Sequence, residues 1–546
     1  MAEATGALES TDTDAAQDAG AGHRSGAGPP RAGRRPGATP PRASPILVRL
    51  IAFVVGGASL GTEIAAARLL APYFGASTII WANTIATVLV ALSAGYALGG
   101  RLADRRADLR GLCLVVLVAS LLLAVVPFVA DPFLRLSVNA LGSLSVGGFL
   151  GSLVAVLVLV AVPVMLLGTV APYASRLSVQ RVSETGRTIG NLYAISTVGS
   201  LVGTFLAALL LIPTIGTHRT FIIFALSLAL VAAAGVRSWR FWPIPVVVAA
   251  SLAIPPAAIG AGVAGGRVIF SAETQYQYAR VIQFGDGVRW LQLNEGVAIH
   301  SLYRPGTFLT NGYWDDFLVL PFARQASTAA PAAPPRRIAI LGDAAGTVAR
   351  AYGHFYPSTR VDAVELDGEL TTIGRRYFHL SGPRLHLYTA DARPWLEASH
   401  MRYDSIFLDA YRQPYIPFYL ITHQFFALAR AHLRPGGTFI VNVGHLPNSA
   451  ALEKVVAATL RSVFPHVMSD PFSADNSLLL ASTQPLSAAS MIAAHGHVPL
   501  ALQGPLASVS GRLAPAPTGG PVFTDDRAPV EWLTDLSILR YAAGNR

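Results

Sequence analysis

The sequence predicts a two-part chain. A multi-pass α-helical membrane domain comes first, followed by a small β-meander that leads into a doubly wound, parallel α/β domain of Rossmann-like type. Three observations carry this. Hydrophobic residues make up 52% of the 546 and charged residues only 13%, against about 25% charged in ordinary soluble domains. The apolar residues concentrate before Gly265, in runs close to the ~20 residues a helix needs to cross a bilayer. From Arg336 onward the pattern changes to strand, glycine-containing turn and helix in repeated alternation, which implies a parallel sheet.

Residues 1–45 are rich in Ala, Gly, Pro, Arg and Asp and have little to bury, so they read as a disordered tail. They lack the apolar stretch of a signal peptide, and no cleavage is expected there. The membrane domain covers 46–265, with apolar runs at about 46–66, 79–99, 111–130, 148–168, 190–212, 220–236 and 242–264. The last contains Pro243, Pro245, Pro255 and Pro256, which favour a distorted or re-entrant segment. Arg49 and the tail arginines precede the first run. Arg101, Arg105, Arg106 and Arg110 follow the second, Arg176, Arg181 and Arg187 the fourth, and Arg237 and Arg240 the sixth; the alternate loops hold only Arg68, Arg135 and Arg219. The positive-inside rule then puts the N-terminus in the cytoplasm of a multi-pass cell-membrane protein. Seven crossings would leave the C-terminal domain outside and six would keep it inside. The prolines favour six.

The net charge of +10 fits this topology rather than nucleic-acid binding, because the arginines lie between apolar runs. Cys113 is the single cysteine, which excludes an internal disulfide and a cysteine-rich metal site; within an apolar run it reads as a small core residue. The histidines show no ligand spacing, so no metal is expected. Glu63 lies inside the first run, where a charge costs roughly 2.5–3.5 kcal/mol on insertion scales. A buried partner such as Arg68 is its expected role, with a substrate or proton path as the alternative. Asp104 and Arg105 suggest a loop-anchoring network.

Residues 268–322 read as the β-meander, with strands at Tyr278–Phe284, Val288–Leu293 and Val297–Tyr303, and 325–335 as a linker. The α/β domain spans 336–485, with strands expected at 337–341, 360–364, 385–388, 403–408 and 437–443 and helices at 346–355, 367–377 and 420–432. Residues 486–546 form a C-terminal extension. In open α/β sheets ligands bind beyond the C-terminal ends of the strands. Four successive strands each bring an acid there: Asp343 between Gly342 and Gly346, then Glu365, then Asp391 before Ala392, then Asp409. The glycines permit a tight turn and close backbone approach. Asp343 suits a ligand ammonium, Glu365 ribose hydroxyls, Asp391 an exocyclic adenine amine, and Asp409 the reacting centre as general base or amine anchor. Each acid taken singly also reads as a helix N-cap. The four in order favour a pocket.

The segments Ile340–Gly346, Val364–Asp367, Ala390–Ala392, Tyr403–Asp409 and Leu433–Gly437, with Tyr276-Gln277 upstream, resemble the polyamine aminopropyltransferases, the spermidine synthase family. Arg68–Gly75 and Gly95–Arg105 are similar to the helical half of fused transporter-like members, as is Thr524–Glu531 near the C-terminus; Gly100 to Arg106 also resembles a major-facilitator loop. The resemblance implies transfer of an aminopropyl group from decarboxylated S-adenosylmethionine to a small amine without a metal. It implies catalysis by Asp409, cofactor contacts from Gln277, Gly342, Asp343, Gly346, Glu365, Asp391 and Ala392, and substrate contacts from Tyr313, Asp315 and Tyr411. Beyond the bilayer and the amine no partner is implied, nucleic acid included, and homo-oligomerisation stays open. Three departures stand out: Ala344 and Ala345 in a turn that is glycine-richer in the family, Tyr313-Trp314-Asp315 in place of Tyr-His-Glu, and Arg412 where a second aspartate is expected. An arginine facing the pocket would repel a diamine. Two other readings stay open: a methyltransferase using intact S-adenosylmethionine, and a transporter or scaffold whose soluble domain senses a nucleoside.

Overall fold

The computed structural model describes residues 44–537 except 75–77, 106, 142–146, 180, 255–264, 295–297, 326–332, 413–414, 448 and 535. The expected tail and most of the linker lie outside the described residues. Six helices are long and apolar enough to cross a membrane: α1 Pro45–Ala71, α2 Ile80–Arg105, α3 Leu109–Ala130, α4 Gly151–Ser178, α5 Val182–Ile215 and α6 Thr217–Val236. They correspond to the first six apolar runs. The seventh run contains α7, Pro243–Ser251, of nine residues.

Glycines set how closely these helices pack. On α5, a Cβ at Gly199 or Gly203 would strike the backbone oxygen of Phe53 or Gly57 on α1. Ser200 Oγ donates to Gly56 O at 3.1 Å across the same seam. Gly95 and Gly99 of α2 meet the carbonyls of Met165 and Thr169 on α4 in the same way. Lipid gives helices no hydrophobic drive to associate, so close backbone approach and interhelical hydrogen bonds supply the cohesion. α4 and α5 each contain a π-helical turn, Leu157–Ala161 and Leu206–Leu211, just before Pro163 and Pro213. A proline cannot donate to the helix and crowds the preceding turn, and the wider turn absorbs that misfit.

The soluble half sits on one end of this bundle. Arg68, near the end of α1, donates from Nη1 to Tyr276 O and from Nη2 to Thr274 O at 2.7 Å. Thr217, at the start of α6, donates from N and from Oγ1 to Glu273 Oε2, both at 2.6 Å. Arg68 therefore does not pair with Glu63 as expected; Glu63 is half-buried without an ion-pair partner among the described residues. Arg49, Arg101, Arg105, Arg110, Arg176, Arg181, Arg187, Arg237 and Arg240 lie where α1, α3 and α5 begin and α2, α4 and α6 end. That is the opposite end of the bundle. The chain thus returns from one end to the other between Arg237 and Gly266. α7 packs on α6 and α3 with Pro245 and Val248 buried.

The meander is an antiparallel sheet in the order β1 Gly266–Glu273, β2 Tyr278–Phe284, β3 Arg289–Leu293 and β4 Ile299–Tyr303. The α/β sheet contains β5 Arg337–Leu341, β6 Arg360–Glu365, β7 Leu385–Thr389, β8 Tyr403–Leu408, β9 Leu433–Gly444, β10 His466–Ser473, β11 Asn476–Ser482 and β12 Ala514–Pro515. The order is β12-β10-β11-β9-β8-β5-β6-β7, so three antiparallel strands extend the expected parallel five. Alternation places Ile338 and Ile340 of β5 in the core on one face, and Ala339 and Leu341 in the core on the other. The C-terminal extension is part of this body. β12 pairs with β10, Arg512 bridges Asp316 and Asp470, and Asp525 holds Arg393.

An Arg68→Ala variant removes both donors from the Thr274–Gln277 turn. We expect hydrogen exchange in residues 274–277 of the detergent-solubilised full chain to rise about tenfold, the equivalent of one charged hydrogen bond, with β5 to β9 unchanged. Unchanged exchange in the turn would show that the contact does not hold it.

Candidate active site

The strand order reverses between β5 and β8, and the turns that leave these two strands meet. Gly342 follows β5 with φ 87°. A Cβ there would lie 2.6 Å from Ala410 Cα and 2.7 Å from Asp409 O, so only glycine permits this approach. Asp409 N donates back to Leu341 O at 2.9 Å, locking the two turns in register. Ala344 has φ 48°, a left-handed conformation that costs an L-residue roughly 1–2 kcal/mol. The turn therefore keeps the shape that glycine would adopt freely. It is held by Ala344 N donating to Glu365 Oε2 at 2.9 Å and Ala345 N donating to Ser301 Oγ at 2.9 Å. Gly346, φ 86°, starts helix α8, Thr347–Phe355, where a Cβ would strike Leu380. It shapes the turn and lines neither chamber described next.

Two chambers meet over these turns. One, of about 440 Å³, is lined by Tyr276, Gln277, Glu365, Asp367, Asp391, Ala392, Arg412, Tyr419 and Glu531. The other, of about 450 Å³, is lined by Tyr313, Trp314, Asp343, Asn442, His445, Phe472, Asp475, Asn476 and Thr534. Gly342, Ala344, His300, Asp409 and Tyr411 line both. Asp409 thus stands at the junction.

Asp409 Oδ1 accepts from Asn442 Nδ2 at 2.7 Å, and Oδ2 accepts from Tyr313 OH at 3.1 Å. Burial pushes its carboxyl up to about 7, with the donors Asn442, Tyr313 and Trp314 opposing the rise. Burial also pushes Glu365 up to about 7, against the backbone donors of Asp367 and Ala344. Asp343 is also raised, by burial first and then by the charge of Glu365, against the backbone N–H of Ala349. Both its carboxylate oxygens are buried and without a hydrogen-bond partner among the described residues. An unpaired buried carboxylate is costly unless a cation meets it, so this position calls for a positive ligand group. His300 is lowered to about 4 by burial and is neutral.

Most of the anticipated residues reach the chambers, some with their groups already engaged. Asp391 caps helix α9, Ala392–Ala398, accepting from Arg393 N at 3.0 Å, while its other oxygen accepts from Tyr419 OH at 2.8 Å. The Tyr411 hydroxyl donates to Asn442 O and accepts from Gly444 N. Gln277 Nε2 lies 3.4 Å from Asp367 Oδ2, which also accepts from Thr274 Oγ1 at 2.6 Å. Asp315 is a correction. It accepts from Thr310 N and Oγ1 and from Asn311 N, stapling its own loop, and lines neither chamber. Asn442, Asp475, Asn476 and Thr534 were not anticipated. They lie on β9, at the β10–β11 hairpin and in the C-terminal extension, outside any motif.

No family model matches the chain. A probable polyamine aminopropyl transferase of Bifidobacterium longum is 32% identical over 197 residues, 36% of this chain and 42% of that protein. A polyamine aminopropyltransferase of Vibrio vulnificus is 33% identical over 134 residues, 24% of this chain and 44% of that protein. The C-terminal half is similar to polyamine aminopropyltransferases. A polyamine aminopropyltransferase of Mycobacterium tuberculosis is 26% identical over 359 residues, 60% of this chain and 62% of its own length, so that match reaches into the helical half. The chain spans less than half the length of the first two relatives. A solved structure of a probable spermidine synthase from Corynebacterium glutamicum covers 47% of this chain and 98% of its own, at 23% identity and TM-score 0.36. A spermidine synthase bound to the transition-state analogue AdoDATO covers 40% and 74%, at 19% identity and TM-score 0.33. One departure from the family is relieved by the fold. Arg412 lines the chamber with Gln277 and Glu365, and not the one with Asp343 and Asp475.

The raised carboxylates predict proton release. Near pH 7 Asp409 and Glu365 are partly protonated before a ligand binds, and a cation beside a carboxylate lowers its pKa. Binding of a nucleoside carrying a sulfonium or ammonium should release about one proton, and its affinity should rise with pH through about 7. Calorimetry of the full chain in two buffers of different ionisation enthalpy checks this. Equal heats in both would refute it.

Proposed function

We propose that the protein is a membrane-bound aminopropyltransferase that moves an aminopropyl group from decarboxylated S-adenosylmethionine to an amine. The observation that carries this reading is the position of Asp409. It lies between a chamber suited to a nucleoside and a second chamber whose described lining includes Asp343 and Asp475 but no Arg or Lys. Glu365 takes the ribose hydroxyls, and Asp391, set by Tyr419, faces the base. The free carboxylate of Asp343 holds the ammonium of the aminopropyl group. The co-substrate supplies a carbon activated by a sulfonium, which leaves as a neutral thioether, so no acid is needed there.

The chain's own task is at the acceptor. An alkylamine with a pKa near 10 must lose a proton before it can attack. Asp409 holds that ammonium, takes its proton, and is kept in place by Asn442 and Tyr313. A base with a pKa near the working pH is the effective one, and alignment of amine and sulfonium supplies much of the remaining acceleration. Intact S-adenosylmethionine would bring its own carboxylate toward Asp343, which favours this reading over methyl transfer. Decarboxylated co-substrate should therefore bind more tightly than the intact form in calorimetry. Asp409→Asn should lower kcat by roughly 10²–10⁴ in an assay for methylthioadenosine and spermidine formed from putrescine. Normal turnover by this variant would overturn the role given to Asp409.

The same reading places the pocket on the side opposite the arginine-rich loops. Those loops mark the cytoplasmic face, and the meander rests on the other end of the bundle. The co-substrate must then be available on that side. A reporter fused at the C-terminus should register outside the cytoplasm. A cytoplasmic signal would invert the bundle and overturn this placement, leaving the transferase chemistry untouched.

A further inference from the structure

The helical bundle has a polar interior that the soluble half does not use. A cavity of about 190 Å³ lies between α1, α2, α4 and α5. Its polar lining includes Ser59, Tyr96, Tyr193, Ser196 and Ser200, and no Arg or Lys is among its described lining. Tyr96 and Tyr193 are exposed and mark its opening between α2 and α5. It lies toward the arginine-rich end of the bundle, since Arg49, Arg101, Arg176 and Arg187 each fall within about two turns, ~10 Å, of a lining residue. The chambers around Asp409 are at the other end.

Helix hydroxyls commonly bond the carbonyl one turn back, as Ser175 does with Ala171 O at 2.8 Å and Thr204 with Ser200 O at 2.9 Å. On α1, Ser59 Oγ and Thr62 Oγ1 do not. Both are buried and without a hydrogen-bond partner among the described residues. Ala52, Gly56 and Ser59 line the cavity, and the helical repeat puts Glu63 on that same stripe, one turn past Ser59. Glu63 is half-buried within a membrane span and has no ion-pair partner among the described residues.

A lone carboxylate at membrane depth marks a ligand or ion path. The cavity exceeds the ~150 Å³ that admits a benzene molecule, which is too roomy for a bare metal ion and suits a small organic one. A carboxylate, unpaired hydroxyls and two phenol rings, with no basic group among them, select positive charge. The arginines outside are exposed, and salt screens them over about 8 Å. We propose that the membrane bundle binds a small organic ammonium ion in this cavity, with Glu63 as its counter-charge. The site stands independently of the transferase reading.

The test places a thiol on the cavity by Ser196→Cys on α5 and, separately, Ser175→Cys on α4, in the detergent-solubilised full chain. Cys113 is buried, so the native chain gives the background. Relative to a free thiol, cationic 2-aminoethyl methanethiosulfonate should label both positions about tenfold faster than its neutral methyl analogue. Butylamine at pH 7 should protect both thiols, while butan-1-ol and sodium chloride should not. Glu63→Gln should weaken the protection about tenfold, with Glu63→Asp retaining most of it and Asp409→Asn leaving it intact. Equal protection by butan-1-ol would show an apolar cavity, and equal protection by sodium chloride an inorganic-cation site; either overturns the proposal. So would thiols that do not label, or protection that is unaltered by Glu63→Gln. Loss of protection in Asp409→Asn would place the amine in the other chambers and overturn the site, whereas a chain that transfers no aminopropyl group yet shows the expected protection would uphold it.

Discussion

The contact on which the site depends is the approach of two turns, at Gly342 after β5 and Asp409-Ala410 after β8. A side chain on Gly342 would overlap Ala410. Without that approach Asp343 and Asp409 would not flank one junction, and the two chambers would not share a wall. The strand order makes the approach available, because β5 and β8 are neighbours at the point where the chain reverses direction across the sheet. The Glu365 bond to Ala344 N then holds a non-glycine residue in a left-handed conformation. The local strain is small beside the stability of the sheet beneath it.

Bringing three carboxylates into a buried junction has an electrostatic consequence. Burial raises all three, and the charges of Glu365 and Asp409 raise Asp343 as well. Asp409 is partly rescued by Asn442 and Tyr313. Asp343 has no such donor, and its charge is stabilised only when a cation arrives. The Asn442 amide that stabilises Asp409 is itself oriented by Asn476.

The two halves of the chain are joined at the edge of the chamber lined by Gln277 and Glu365. Arg68 of α1 grips the carbonyls of Thr274 and Tyr276, and Glu273 caps the start of α6. Thr274 in turn donates to Asp367, which lines the chamber with Gln277. An arginine suits this contact because its planar fork can reach two carbonyls at once. The membrane bundle is therefore in hydrogen-bonded continuity with the wall that faces the ligand.

Sequence by itself determined the elements that depend on local pattern. Apolar run length marked the six helices, and alternation with glycine-containing turns marked β5 to β9. An acid just past each strand end was enough to locate Asp343, Glu365, Asp391 and Asp409 on one edge, because a parallel sheet aligns those ends whatever the side-chain detail. Tertiary structure alone decided what depends on direction and distant pairing. Asp315 and Arg412 sit beside motif residues in sequence, yet one turns into its own loop and the other lines the chamber of Gln277 and Glu365. Asn442, Asp475, Asn476 and Thr534 carry no local signal, since they converge only when the β10–β11 hairpin and the C-terminal extension fold over β9. The end of the bundle that carries the pocket was likewise settled by Arg68 and Thr217. Their partners lie more than fifty residues away in the chain, beyond the reach of any count of apolar runs.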